Sequence, residues 1–81
     1  MATVIIPQEY IIDYRIPAEN KHPKHSDVGF DVKSICRIER MYAGHFCTRL
    51  FFIANDHDHL LDIDLSVPEV CALIADALKG R

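Results

Sequence analysis

The stretch 54–65, ANDHDHLLDIDL, sets two histidines and four aspartates within a dozen positions. If it is extended, His57 and His59 stand at i and i+2 on one side and can turn both imidazoles toward one ion. Zinc and nickel accept neutral imidazole nitrogens. Asp62 would then lie on the opposite side, so a third ligand must come from His22, His25, His45 or a cysteine. His22-x-x-His25 supplies a donor pair in a polar loop. The closely spaced Cys and His pairs of a structural zinc site are absent, so zinc or nickel is the alternative expectation and not the leading one.

The same parity places Asp56, Asp58, Asp62 and Asp64 on the other side with Leu60, at a repeat of about 6.6 Å. Such a row can engage Arg or Lys on a protein partner. Its charge resembles that of a nucleic-acid backbone and would suit the basic groove of a nucleic-acid-binding protein. The commoner role of strand carboxylates is to keep the strand soluble and to block edge pairing. A calcium loop is disfavoured, because neither the central glycine nor the terminal glutamate of the twelve-residue pattern is present.

Nucleophile chemistry finds little support. His45 and Cys47 share a parity, and a Cys-His pair can generate a thiolate, yet no orienting group is identifiable and an apolar strand makes a thiol inert. Cys36 and Cys71 fall on apolar stripes and behave as small hydrophobes. There is no phosphate-binding glycine loop, no Gly-x-Ser-x-Gly and no His-Glu-x-x-His. The expectation is a protein that is not an enzyme.

The chain of 81 residues makes one domain, 1–81, and its 49% hydrophobic and 26% charged residues are those of a globular protein. Three cysteines without close pairing suit a reducing compartment. The absence of a basic leader and of a run of about 18 apolar residues points to the cytoplasm. Residues 1–49 hold seven Lys/Arg against six Asp/Glu, and residues 50–81 hold two against six. That imbalance disfavours nucleic acid or a membrane as direct partner, since both select a basic surface.

Period-two patterns place the strands. Tyr10, Ile12, Tyr14 and Ile16 alternate with charges over 9–16, and Phe30, Val32, Cys36 and Ile38 do so over 29–39, leaving Ile11 and Ile35 on the charged sides. Thr3–Ile6 is a short leading strand or extended arm, 17–27 is a long polar loop, and 40–45 is a turn. The segment 46–54 is apolar on both parities, Phe46, Leu50 and Phe52 against Phe51 and Ile53, which assigns it a central position. A connection at 55–58 leads to a fourth strand over 59–65. Ser66-Val67-Pro68-Glu69 forms a capping box, and Val67, Val70, Cys71, Ile74, Ala77 and Leu78 give an amphipathic helix over 67–79 that ends at Gly80.

The fold expected is α+β, a four-stranded antiparallel sheet in ββββα order with the helix on one face. One helix cannot cover both faces. The second, carrying Ile35 and one apolar set of 46–54, needs a partner, a second copy of the chain, or the loop or arm folded over it. Arg37, Arg49, Tyr42 and Phe51 are the contact residues expected toward a protein partner, since arginine and aromatic residues anchor interfaces. A short, acidic, single-domain chain without an active site resembles in profile the phage-encoded inhibitors, anti-CRISPR proteins among them. The expectation is a non-catalytic protein, homodimeric through its second sheet face, that acts by binding another protein.

Overall fold

In a computed structural model, residues 2–23, 26–42 and 44–80 are described, apart from the side chain of Phe46. Among them are six strands and one α-helix: β1 (Thr3–Ile6), β2 (Ile11–Arg15), β3 (Val28–Asp31), β4 (Ile35–Tyr42), β5 (Phe46–Ala54), β6 (His57–Ile63) and α1 (Val67–Lys79). The expected α+β architecture is present. Strands β2-β6-β5-β4 form an antiparallel sheet of four, and β1 and β3 pair in a separate antiparallel ribbon.

The expected strand over 29–39 is two strands. Asp31 accepts from the amide of Lys33 at 3.0 Å, and the Ser34 hydroxyl donates to the Asp31 carbonyl at 2.6 Å. These local bonds stabilise a 3-10 turn over Val32–Ser34 that sends β3 to the ribbon and β4 to the sheet edge. The leading segment is a true strand, and its ribbon lies with α1 over one face. There Val4, Ile6, Val28, Phe30 and Val70 close a core with Leu50, Phe52, Leu61 and Ile63. Burying these side chains at about 25 cal/mol per Å² of apolar area is the main term holding the layers together.

Two bulges correct the parity. Ile11 opposes Ile63 and Asp13 opposes Asp62, so Ile12 is the extra residue of β2 and is exposed, while Ile11 and Tyr14 pack on the core. In β4, Ile35 opposes Phe52 and Arg37 opposes Phe51, so Cys36 is extruded and exposed, while Ile35 and Ile38 turn inward. Ile35 therefore does not project from the second face.

The remaining boundaries follow local chemistry. β4 runs through Tyr42, three residues into the expected turn. The β5–β6 connection is only Asn55-Asp56, both with positive φ (53° and 65°), as a tight hairpin turn requires and as Asn and Asp tolerate. Within the 17–27 segment, Pro17–Glu19 forms a 3-10 turn and Lys21 bridges Ile16. On α1 the capping box forms as expected, but the inward stripe is Val70, Leu73, Ile74 and Ala77, with Cys71 and Leu78 in solvent. Among the described residues no helix is long and apolar enough to cross a membrane.

Candidate functional site

On the face of the four-stranded sheet opposite the core, strand register arranges side chains as two rows. The first runs Asp13, Asp62, Arg49, Glu39 across β2, β6, β5 and β4, and the second runs Arg15, Leu60, Phe51, Arg37. Three carboxylates face three guanidinium groups, and a half-buried Leu60–Phe51 pair lies between two arginines. One step further along, Ile53 opposes Asp58 and is 47% exposed.

Each charge in the rows has a partner. Arg49 donates to Asp62 through Nε at 2.8 Å and Nη2 at 3.2 Å, a two-pronged pair in which the carboxylate is buried. Hydrogen bonding to Asp62 holds the Arg49 guanidinium more firmly protonated than usual, with Asp62, Glu39 and Asp13 adding attraction against the cost of burial. Arg15 Nε sits 3.2 Å from Asp13, an ion pair without hydrogen-bond alignment that leaves this buried nitrogen without an acceptor. Arg37 pairs with Glu39, and its guanidinium carbon lies 5.6 Å from the Phe51 ring centre, within reach of the ring's negative face. The surface is thus apolar in its middle and electrically neutral over the two rows.

Of the expected contact residues, Arg37, Arg49 and Phe51 meet on this face. Tyr42 does not: its register with Phe46 puts it on the inner parity at the far end of β4. The four aspartates do not form a ladder of equivalent carboxylates. Asp56 occupies the turn, Asp58 is exposed, Asp62 is committed to Arg49, and Asp64 lies past the end of β6, paired with His45.

The histidines are likewise dispersed. His59 is buried, its ring stacked on Phe52 at 4.9 Å, and both nitrogens are engaged. The Ala54 carbonyl can only accept, so Nε2 donates to it at 3.1 Å and Nδ1 accepts from the Tyr14 hydroxyl at 2.7 Å. Burial pushes the Tyr14 hydroxyl pKa up, which keeps that donor protonated. His57 faces Glu19 at 3.3 Å and His22 faces Asp13 at 3.6 Å. His25 lies outside the described residues. Among the described residues no group of three or more His, Cys, Asp or Glu is placed to hold a metal ion.

His45 and Cys47 do not act together either. His45 bonds Asp64, and Cys47 is fully buried, its thiol pKa pushed up by burial and then by Asp62 and Asp64. The expectation that Cys36 and Cys71 are buried hydrophobes is overturned, since both are exposed.

Sequence reasoning missed Asp13, Arg15, Glu39 and Leu60 as members of the site. A signal existed, because Asp13 and Arg15, and Arg37 and Glu39, recur at i and i+2 on the polar parity of edge strands. Only register shows that the two edges align into common rows. The chain matches no known protein family, no curated protein and no solved structure.

Proposed function

We propose that this chain is a non-catalytic interaction protein that works by presenting the open face of its four-stranded sheet to another protein. One observation carries the reading: Leu60 and Phe51, in register on that face and outside the core cluster, are only half-buried and are bracketed by Arg15 and Arg37. An apolar centre within a charged rim, with an aromatic ring beside arginines, is the composition of protein contact surfaces. Because its charges cancel, the face suits a mixed surface better than a uniformly basic groove. The nearest strongly acidic feature is the hairpin tip at Asp56 and Asp58.

Occupancy rather than turnover is also what the profile of phage-encoded inhibitors implies. A non-catalytic role is supported by the placement of the Cys-His combination that shares a parity. Cys47 is sealed and held protonated, and the histidine beside it in sequence is committed to Asp64.

The test is a photo-crosslinking amino acid placed at position 51, compared with the same group at Leu78 on the exposed side of α1. The expected result is discrete protein adducts from position 51 and none from position 78. Failure of position 51 to yield any protein adduct, in purified protein or in cells, would overturn the reading.

A further inference from the structure

We infer that the occupant of the open sheet face is a second copy of this chain, packed face to face about a two-fold axis that runs across the strands, between the two rows. This rests on the reading of the face as an interaction surface and adds the partner's identity and orientation.

A two-fold axis in the interface plane and perpendicular to the strands lays each strand over its own equivalent and exchanges the rows. Asp13 then faces Arg15 of the second copy, Glu39 faces Arg37, Asp62 faces Leu60 and Arg49 faces the Phe51 ring. Each relation occurs twice, as an isologous interface demands. The outer strands meet with opposite charges, and the centre meets as guanidinium on ring and carboxylate beside leucine. Aligned sheets pack about 10 Å apart at roughly 30°, so the correspondence is closest near the axis, at Arg49 and Phe51, and loosens toward β2 and β4.

The other in-plane axis, parallel to the strands between β6 and β5, keeps each row opposite itself. It would bring Arg15 against Arg37 and Asp13 against Glu39, like charge on like charge at both margins. Charge complementarity therefore selects one orientation. The face also suits association of like chains: each copy carries a net charge of −3, whereas the two rows sum to zero, so they add no net repulsion of their own.

Four strands about 4.8 Å apart and about six residues deep give a face of roughly 19 by 20 Å, or about 400 Å² in projection. That is below the ~800 Å² per partner of a standard interface, so the dimer is weak and forms with rising concentration.

Sedimentation velocity over a concentration series at low ionic strength tests this. The wild-type chain is expected to shift from monomer to dimer, and Phe51→Asp to raise the dissociation constant by roughly 30-fold or more, as loss of a central anchor does. Arg37→Glu decides the axis. In the arrangement proposed, the new carboxylate at position 37 meets Glu39 of the second copy and must weaken the dimer, whereas in the rejected arrangement it meets Arg15 and would strengthen it. A chain that stays monomeric at every concentration overturns the inference, as does a dimer tightened by Arg37→Glu or untouched by Phe51→Asp. If the chain is monomeric but the crosslinker at position 51 captures a different protein, the interaction reading stands and the second-copy inference fails. If position 51 captures nothing, both fail.

Discussion

Removing the Asp62 carboxylate is the sharpest perturbation of the open face, because its cost reports both the pair and whatever covers it. In Asp62→Ala the Arg49 guanidinium loses two charge-assisted hydrogen bonds, at 2.8 and 3.2 Å. Such a pair contributes about 3–5 kcal/mol when breaking it leaves a buried charge alone, and about 0–1 kcal/mol when both partners are in water. The pair lies between these limits: the Asp62 side chain is 8% exposed but that of Arg49 is 33%, so the freed guanidinium can be rehydrated. We expect a coupling of about 1.5 kcal/mol, with a further ~0.5 kcal/mol from placing alanine in a central strand, so that the single variant loses about 2 kcal/mol. For a domain of this size that lowers Tm by about 12 °C.

The assay is urea unfolding of wild type, Asp62→Ala, Arg49→Met and the double variant, at a protein concentration low enough for the monomer, with the coupling read from the cycle. A coupling below about 0.5 kcal/mol would show that the pair behaves as an ordinary surface contact and does not organise the face. A value above about 3 kcal/mol in the monomer would show that Arg49 is not open to water, contradicting an uncovered face.

The thiols and the helix start give two more predictions. A thiol-specific reagent at neutral pH is expected to label Cys36 and Cys71 rapidly and Cys47 only on unfolding, because Cys47 is sealed and its pKa raised; fast labelling of all three in native protein would refute that placement. The Ser66 amide and hydroxyl bond the Glu69 carboxylate and hold its pKa below the ordinary 4.5, so the helix stabilisation is fully present above that value and is lost as pH falls through the lowered one. Urea titrations across acidic pH should show a stability slope that is shallower in Glu69→Gln, and an unchanged slope would remove Glu69 from the acid response.

What could be read from the sequence was whatever depends on neighbours within a turn or a strand. The capping box, the helix bounds at Val67 and Lys79, the central β5 and its division into Leu50 and Phe52 against Phe51 and Ile53 are local patterns, and all are present. The readings that failed depended on counting parity across a hidden extra residue. A bulge at Ile12 moves that residue off the core and brings Ile11 in, one at Cys36 does the same for Ile35, and Tyr10 falls in a 3-10 turn over Gln8–Tyr10 ahead of the strand. Likewise the aspartate ladder assumed that four carboxylates on one parity share one environment, whereas Arg49, thirteen residues upstream of Asp62, claims one of them. No alternation within a strand can reveal such a partner.

The bulges also bear on why a face, and not an edge, should make contact. An open sheet offers two routes to association: pairing of edge strands and packing of faces. Here both edges of the four-stranded sheet carry a device that discourages pairing, since β2 is kinked at Ile12 and β4 at Cys36, and Arg37, Glu39 and Arg40 stud the rest of β4. Extruding one residue from each edge strand turns Ile11 and Ile35 to the core, while Asp13 and Arg15, and Arg37 and Glu39, keep the outward parity beside Arg49 and Asp62. The same two distortions that obstruct the edges thus clear two isoleucines from the charged face, which favours contact through the face over pairing at an edge.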